Sequence, residues 1–307
     1  MLAPIAIVDT IWFLLALCFL IALCLQKYSL KLPRSLEYVF QDLIRYGKTK
    51  DHIKRSNWQL VFDISKRCFY HFYAVSVVWN GLLLLLSLRC VVMNEPLPDW
   101  LIDALCFLTG RPRAAWNELH LSVLLLQVLL WVHSLRRLLE CLFVSVFSNG
   151  VIHAVQYAFG LCYYVLLGLT VLCINSSLPR SGSLVNQLTW HHVIGILLFI
   201  WASLVQNQSL SLLAKMRTDS SGKVATLAHK MPRGGWFELV SCPHYLAELL
   251  IYVAMNVCCG CSSLTWWLVV LYVLCNQALA AHLCHEYYRS KFETYPPKRK
   301  AFIPFLL

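Results

Sequence analysis

The sequence changes character within one stretch, Met231-Pro232-Arg233-Gly234-Gly235-Trp236-Phe237-Glu238-Leu239-Val240-Ser241-Cys242-Pro243-His244-Tyr245-Leu246-Ala247-Glu248. Here a basic, glycine-containing loop leads directly into an apolar segment, which carries His244, Tyr245 and Glu248 within its first turn or so. Polar side chains cost several kcal/mol in hydrocarbon unless they are paired. Some partner must therefore satisfy these three side chains, and the loop before them suits an anion.

The composition around this stretch is that of an integral membrane protein. Of the 307 residues, 59% are hydrophobic and 13% are charged, whereas a water-soluble domain has about 25% charged residues. Basic loops at the cytosolic face of a membrane account for the net charge of +11. We therefore predict an all-α polytopic membrane protein that forms a single membrane domain over residues 1–307, with no nucleic acid as partner.

Apolar segments predict seven transmembrane helices, at residues 4–25, 70–92, 119–147, 151–174, 188–213, 244–259 and 263–285. The sixth segment is short and ends at a turn, Cys259-Gly260, so residues 244–285 are predicted to form a helical hairpin. The only cysteine cluster, Cys258-Cys259-Gly260-Cys261, has no histidine at zinc spacing, and no metal site is predicted.

The distribution of Lys and Arg predicts the orientation. Residues 26–69 carry ten of them, residues 214–243 carry five, and the tail after residue 285 carries five more. With seven spans these segments share one side, so the positive-inside rule places the N-terminus in the lumen and the C-terminus in the cytosol. The glycosylation sequon Asn175-Ser176-Ser177 falls in a loop predicted to be lumenal, which agrees.

The third span carries an ionisable stripe. His133, Arg136, Arg137 and Glu140 are spaced i, i+3, i+4 and i+7, which puts them on one helical face. Such a stripe inside a membrane helix marks a water-filled or ligand-filled interior. The alternative is an interfacial Arg–Glu pair with arginines that reach toward the headgroups. We favour the functional interpretation because apolar sequence continues to Phe147.

The last span ends in a second group of polar side chains. His282, His285 and Glu286 are predicted to share a face, as are His285 and Tyr288. A histidine and a tyrosine three residues apart can hydrogen-bond a carbonyl oxygen or relay a proton. An aromatic belt at the cytosolic interface explains the spacing equally well.

The C-terminal tail combines basic and apolar residues. The stretch Tyr295–Lys300 suits either a lipid anchor or a phosphate clamp, in which Arg299 would contact phosphate oxygens. The stretch Ala301–Leu307 is apolar, which predicts that the tail folds back onto the bundle.

Two motifs together resemble the signature of the steroid 5α-reductase family. The first is Pro232-x-Gly234-Gly235-x-Phe237-x-x-Val240-Ser241, followed by Tyr245 and Glu248. The second is Tyr288-x-x-Lys291-Phe292-x-x-Tyr295-Pro296-x-x-Arg299-Lys300-Ala301-x-Ile303-Pro304-Phe305. Over the whole chain, including residues 41–50 and 133–149, the sequence is most similar to the branch of this family that reduces polyprenoids.

The resemblance implies an embedded NADPH pocket open to the cytosol and a location in the endoplasmic reticulum membrane. It implies NADPH-dependent reduction of a double bond conjugated to a carbonyl, with polyprenal giving dolichal for protein N-glycosylation and 3-oxo-Δ4-steroids as further substrates. A polyprenoid lipid within the membrane is then the partner, with no obligate protein partner. Residues 1–118 would supply N-terminal helices and a basic cytosolic loop, and residues 119–307 the reductase-like region.

The resemblance also suggests roles for individual residues. His285 and Tyr288 would be catalytic and would polarise the carbonyl oxygen. Cofactor-binding residues would be Arg217, His244, Tyr245, Glu248, Arg299, Arg136, Arg137 and Glu140. The family usually has Asn where this chain has His244. Its steroid-reducing members have Asn and Asp where this chain has Gln206 and Leu210, which weakens the case for a steroid as the main substrate. The alternatives are a membrane S-adenosylmethionine-dependent enzyme similar to isoprenylcysteine methyltransferases, and a non-enzymatic lipid-binding scaffold.

Overall fold

A computed structural model describes residues 6–28, 32–50, 55–116, 118–177 and 184–306. Over these ranges the chain is almost entirely helical, with one short antiparallel pair of strands, β1 (Asp63–Ser65) and β2 (Val151–His153). The α-helices are α1 (Ile7–Lys27), α2 (Arg34–Ile44), α3 (Asn57–Leu60), α4 (Tyr70–Met93), α5 (Asp99–Thr109), α6 (Leu121–Leu139), α7 (Ala154–Cys173), α8 (Trp190–Lys215), α9 (Pro243–Cys258) and α10 (Leu264–Lys291).

Six helical segments within the described ranges are long and apolar enough to cross a membrane: Ile7–Lys27, Lys66–Met93, Leu121–Val144, Ala154–Cys173, Trp190–Lys215 and Leu264–Lys291. The remaining predicted span corresponds to α9, which has 16 residues. At 1.5 Å per residue α9 is about 24 Å long, shorter than the hydrocarbon core of about 30 Å. The all-α polytopic fold is confirmed, and a seventh crossing stays a prediction.

The predicted hairpin of α9 and α10 is confirmed. The turn between them contains two residues with positive φ, Gly260 at 65° and Cys261 at 56°. Gly260 adopts this conformation without steric cost because it has no Cβ atom. Ser263 then begins α10 by accepting a hydrogen bond from the Trp266 backbone N–H at 3.3 Å.

Small residues let the bundle helices approach closely. α8 packs along α9, α1 packs along α10, and α4 lies against both α6 and α7. A Cβ atom placed on Gly195 of α8 would lie 2.3 Å from the Cys258 Sγ atom of α9. A side chain at Gly195 would therefore push the two helices apart, as expected where membrane helices pack through small residues.

The N-terminal loop is folded onto the segment that follows α6. β1 pairs with β2, with Ile64 opposite Ile152. Beside the sheet, Lys50 Nζ lies 2.9 Å from Asp42 Oδ1, and Arg55 Nη1 lies 2.7 Å from Asp63 Oδ1. The sequence indicated only a basic cytosolic loop here, because neither the strand pair nor the ion pairs have local signatures.

The tail folds back as predicted. Val240 and Lys300 form a parallel bridge, in which the Ser241 N–H donates to the Lys300 carbonyl at 2.8 Å and the Lys300 N–H donates to the Leu239 carbonyl at 3.0 Å. Phe302 is fully buried. The tail thus closes over the stretch Met231–Glu248.

Asn175 is held inside the fold and does not project from it. Its side-chain carbonyl accepts the His120 N–H at 2.8 Å, and its amide donates to the Glu118 carbonyl at 2.8 Å. The amide nitrogen to which a glycan would be attached is therefore hydrogen-bonded within the folded protein.

Candidate active site

The ionisable stripe of α6 forms one connected cluster. Arg136 Nη1 donates to Glu140 Oε1 at 2.7 Å, and Arg137 Nη1 donates to Glu140 Oε2 at 2.5 Å. His133 is fully buried, and its Nδ1 lies 3.2 Å from Arg136 Nη2. The predicted common face is confirmed, and the arginines point into the protein and not toward headgroups: both are paired with a buried carboxylate.

Glu248 joins this cluster from α9. Its Oε1 lies 3.2 Å from His133 Nε2, and its Oε2 accepts a hydrogen bond from Gln206 Nε2 at 2.5 Å. Gln206 also accepts from Arg136 Nη2 at 2.5 Å and donates to the His244 carbonyl at 3.2 Å. One glutamine of α8 therefore links the polar residues of α6 and α9.

The sequence analysis identifies Gln206 only as a departure from the family pattern. It does not predict that Gln206 links Arg136 to Glu248. A polar residue in the middle of an apolar span was the available signal. Tyrosines extend the cluster, since Arg137 Nη2 donates to the Tyr73 hydroxyl at 3.2 Å. The Tyr252 ring lies 6.3 Å from that of His133, and its hydroxyl is 2.7 Å from the Tyr163 hydroxyl.

His285 lies in a second cluster, formed with the Met231–Glu248 stretch and the tail. Its Nδ1 lies 2.7 Å from Ser241 Oγ and 3.2 Å from the Tyr295 hydroxyl. Ser241 is itself fixed, because its hydroxyl donates to the Lys300 carbonyl at 3.1 Å. These contacts hold the His285 ring through one nitrogen. Ser241 and Tyr295 both belong to the two family motifs, but the sequence analysis assigned neither a role.

His282 and Glu286 do not share a site with His285. Glu286 Oε2 accepts from Gln26 Nε2 at 2.9 Å and lies 3.6 Å from Arg45 Nη2. His282 Nε2 lies 3.3 Å from Glu286 Oε1. These two side chains contact the N-terminal segments, because α1 packs along α10 on that side, whereas His285 contacts Ser241 and the tail.

Tyr288 lies beneath a lysine from the N-terminal loop. The Lys48 ammonium is 3.8 Å from the centroid of the Tyr288 ring, and the Tyr295 ring stacks at 6.3 Å. His285 and Tyr288 thus both contact Tyr295, but no hydrogen bond joins them in the described part of the chain.

Basic side chains converge around the Tyr287–Tyr288 pair. Lys48 lies 5.5 Å from the Tyr287 ring, and Lys291 donates to the Tyr287 hydroxyl at 2.9 Å. The His229 ring lies 5.7 Å from the same tyrosine. Within the described ranges, no carboxylate is within 4.0 Å of Lys48, Arg217 or Lys291.

The pKa of His229 reports the positive potential of this basic cluster. Burial first, and then the charges of Lys48, Arg217 and Lys291, lower the pKa of His229 to about 3. Burial also lowers the pKa of Arg217. Several cations held together without a nearby described carboxylate make a site that suits an anion.

Tyr245 and His244 begin α9 between the two clusters. The Tyr245 hydroxyl lies 2.6 Å from the hydroxyl of Tyr46, and burial raises the pKa of Tyr46 to about 12. His244 packs between the rings of Phe237 and Tyr245. Its Nδ1 is buried and has no hydrogen-bond partner in the described residues, so it remains able to bind an incoming polar group.

Arg299 performs a structural task. Its side chain is fully buried, its Nη1 donates to the Pro232 carbonyl at 3.0 Å, and its Nη2 lies 3.5 Å from Glu238 Oε2. Glu238 in turn accepts from the Gly234 N–H at 2.6 Å, at a glycine whose φ of 89° a side chain would strain. Arg299 therefore fixes the glycine-containing loop to the tail.

Comparison with known proteins identifies the class. Residues 143–307 match the family described as 3-oxo-5-alpha-steroid 4-dehydrogenase, which is more than half of the chain. The chain belongs to this family and is an oxidoreductase that acts on a carbon–carbon bond. The resemblance seen in the two sequence motifs is confirmed.

Full-length relatives narrow the class further. The chain is 77% identical over 304 residues to a polyprenal reductase of Danio rerio, covering 98% of each chain. It is 54% identical over 306 residues to a polyprenal reductase of Xenopus tropicalis, covering 96% of this chain and 98% of that protein. It is 48% identical over 308 residues to a polyprenal reductase of Homo sapiens, covering 96% of this chain and 94% of that protein. The methyltransferase alternative receives no support.

Proposed function

We propose that this protein is an NADPH-dependent reductase that converts polyprenal to dolichal by reducing the double bond of the α-isoprene unit. The proposal follows the polyprenal reductases to which the chain is similar over nearly its whole length. The polyprenoid partner, the endoplasmic reticulum membrane and a role in dolichol synthesis for glycosylation belong to the same proposal.

The basic cluster of Lys48, Arg217, His229 and Lys291 is the observation that carries the cofactor assignment. A dinucleotide phosphate would offset the positive potential of these cations, which, after burial, lowers the pKa of His229. Lys48 and Arg217 would bind phosphate oxygens. The polar cluster of Arg136, Arg137, Glu140 and Glu248 would hold the cofactor's amide or ribose, with Tyr245 and the unpartnered His244 Nδ1 beside it.

His285 and its neighbours would act at the substrate carbonyl. When bound, NADPH supplies the hydride that adds to the β-carbon of the enal. Negative charge would then develop on the carbonyl oxygen and needs a fixed hydrogen-bond donor in a water-poor site. Transfer of a proton to the α-carbon would complete the reduction. Ser241 and Tyr295 hold His285 by its Nδ1, so its Nε2 would donate to that oxygen when both ring nitrogens carry a proton. Tyr288 would contribute to the wall of the pocket.

The site also supports the proposed orientation. Lys48, Arg217 and the tail gather on one side of the bundle, where the basic loops were predicted. We propose that this side faces the cytosol, which contains NADPH, and that the N-terminus is lumenal. Protease protection of a tag at each terminus in sealed microsomes decides between this orientation and its inverse. Residues 1–118 then supply part of the cofactor pocket to the region 119–307.

The direct test is label transfer by the purified protein in lipid nanodiscs. With polyprenal and NADPH deuterated at C4 of the nicotinamide, we expect deuterium at the β-carbon of dolichal, and a steroid enone serves as the comparison substrate. The variant His285→Ala should lower kcat by roughly 10²–10⁴-fold because an oxygen donor is lost. Its matched control is His282→Ala, one turn away on α10, where the side chain pairs with Glu286; this variant should retain most of the turnover. Unlabelled dolichal with both the (4R)- and the (4S)-deuterated cofactor, or methyl transfer from S-adenosylmethionine, would refute the proposal.

Lys48 tests the cofactor site separately. The variant Lys48→Met keeps most of the side-chain length and removes the charge, so we expect the KM for NADPH to rise about 10–100-fold, as for loss of a charged contact worth about 1.5–3 kcal/mol. The KM for polyprenal should change little. Lys298→Met, at an exposed lysine of the tail, is the control. An unchanged KM for NADPH in Lys48→Met would remove Lys48 from the site.

A further inference from the structure

Four charged side chains form a cluster beside β1, here called the anchor cluster: Asp42, Lys50, Arg55 and Asp63. Lys50 Nζ lies 2.9 Å from Asp42 Oδ1 and 3.6 Å from Asp63 Oδ1. Arg55 Nη1 lies 2.7 Å from Asp63 Oδ1 and 3.7 Å from Asp42 Oδ1. Each carboxylate thus lies beside both cations, and the four charges sum to zero. No step of the proposed reaction uses these four side chains.

The centre of the anchor cluster is withdrawn from water. The side chains of Lys50 and Asp42 are 0% and 3% exposed, while Arg55 and Asp63 form the outer pair. Moving charges out of water is costly, and the attraction within a buried pair often does no more than offset that cost. Stability is therefore a weak reason for the cluster. Charges that find their partners in only one arrangement do, however, fix the geometry of the chain that carries them.

The anchor cluster fixes the turn that carries Lys48. Asp42 lies in the last turn of α2, and Lys50 directly follows the 3₁₀ turn Gly47–Thr49. Their ion pair therefore joins the chain before Lys48 to the chain after it. Within this loop the Lys50 N–H donates to the Gly47 carbonyl at 3.0 Å. The backbone of Lys48 is thus held from both ends.

Close packing holds the same turn on two further sides. A Cβ atom placed on Gly150 would lie 2.7 Å from the Cα atom of Gly47, so the two backbone segments are in direct contact. The Tyr46 hydroxyl lies 2.6 Å from the Tyr245 hydroxyl. The turn of Lys48 is therefore fixed between the segment after α6 and the start of α9.

Lys48 needs such support because its ammonium lies among other cations. Within the described ranges no carboxylate is within 4.0 Å of it, and Arg217 and Lys291 belong to the same basic cluster. The ammonium lies 3.8 Å from the centroid of the Tyr288 ring. Because a flexible side chain that is ordered only on binding weakens affinity, a backbone fixed in advance favours capture of an anion.

We propose that the anchor cluster positions Lys48 for a phosphate group of the dinucleotide, which makes Asp42, Lys50, Arg55 and Asp63 positioning residues. This inference rests on the proposed function. The cluster acts through Lys48 and contacts neither cofactor nor substrate. Its loss should therefore weaken NADPH binding, whereas the reaction of polyprenal at saturating NADPH should change little.

The first test removes both charges of the central pair together. Asp42→Asn with Lys50→Met leaves no unpaired charge behind, because Arg55 keeps Asp63 as its partner. We expect the KM for NADPH to rise about 5–10-fold, less than in Lys48→Met, because the ammonium is displaced but not lost. The kcat and the KM for polyprenal should change by less than about twofold.

Two further double variants accompany this test. Arg89→Met with Glu95→Gln removes an exposed ion pair elsewhere in the chain and should leave all three constants near those of wild type. Arg55→Met with Asp63→Asn removes the outer pair of the anchor cluster and should raise the KM for NADPH in the same direction by a smaller factor. This variant keeps the most buried pair intact, so it provides the test if the central double variant does not fold.

Combination with Lys48→Met separates positioning from general destabilisation. In Lys48→Met, the added changes at Asp42 and Lys50 should raise the KM for NADPH no further, because residues that act through one contact have non-additive effects. Effects that multiply would overturn the proposal. An unchanged KM for NADPH in both double variants of the cluster would overturn it too, as would equal losses with NADPH and polyprenal, which indicate support of the fold alone.

Acylation of Lys48 tests its position without cofactor or turnover. N-acetoxysuccinimide is added to the protein in nanodiscs, and mass spectrometry measures the rate at each lysine. We expect Lys48, which is half-buried, to react several-fold faster when Asp42 and Lys50 are replaced, whereas the exposed Lys298 should react at its wild-type rate. Unchanged acylation of Lys48 would overturn the proposal. If wild type does not bind NADPH, the proposed function fails, and the acylation rates still decide whether the cluster positions Lys48.

Discussion

Replacing Glu248 by alanine is expected to destabilise the protein by about 3–5 kcal/mol, because one partner of a buried charged network is removed. In the folded protein Glu248 offsets Arg136 and Arg137 together with Glu140, through His133 and Gln206. Without it, two partly buried guanidinium groups face a single carboxylate. The melting temperature of the purified protein in nanodiscs, measured without NADPH, separates this loss from any effect on cofactor binding.

Two further variants sharpen the test of Glu248. Glu248→Gln keeps the shape and one acceptor oxygen, so its loss of stability should be intermediate. Glu293→Ala removes an exposed carboxylate of the tail and should change the melting temperature little, because exposed charges contribute about 0–1 kcal/mol. If Glu248→Ala has the same melting temperature as wild type, the polar network that joins α6, α8 and α9 does not stabilise the bundle.

The second large effect is expected at Arg299. Arg299→Met leaves the Pro232 carbonyl without its donor and frees the loop from the tail, at a cost of about 2–3 kcal/mol for a buried group left unsatisfied and a charged hydrogen bond lost. Trypsin should then cleave after Lys230 or Arg233 well before it cleaves wild type. Turnover should fall as well, because Ser241, which follows this loop, positions His285.

The variant Arg299→Lys, which keeps the charge but not the planar guanidinium, is the control for this second prediction. Arg299→Lys should rescue only partly, since an ammonium on a single stem cannot reach both Pro232 and Glu238 as the planar guanidinium does. Lys298→Met, the exposed neighbour, should resist trypsin as wild type does. Normal protease resistance in Arg299→Met would show that the β-bridge of Val240 and Lys300 alone holds the tail.

Part of the candidate site could be predicted from the sequence, because several of its residues lie on one helix at helical spacing. His133, Arg136, Arg137 and Glu140 follow the helical period, so their common face could be predicted, and they do form one cluster. The same argument did not indicate the partners of His282, His285 and Glu286, which contact different segments. Residues one turn apart on a helix that is buried on several sides can face different neighbours, and sequence spacing does not say which neighbour packs where.

The partners missed by sequence reasoning come from distant segments. Lys48 lies 240 positions before Tyr288, whose ring it covers. Gln206 of α8 joins α9 to α6, which lies two helices earlier in the chain. Tyr295 and Ser241 reach His285 only because the tail folds back. None of these contacts has a local signature, so periodicity and composition could not indicate them.

The sequence by itself determined that this protein is a helical membrane protein, which family it resembles, and which side chains are too polar to face lipid. These properties depend on composition, span length and local motifs, which are read along one segment at a time. The tertiary structure alone decided that the stretch Met231–Glu248 is fixed by Arg299 and the tail, that the N-terminal Lys48 lies over Tyr288, and that the buried charges of Asp42 and Lys50 meet beside β1. The physical reason is that the partners of a buried charge are the groups that packing places within a few ångströms of it. Packing brings together residues that lie far apart in the chain.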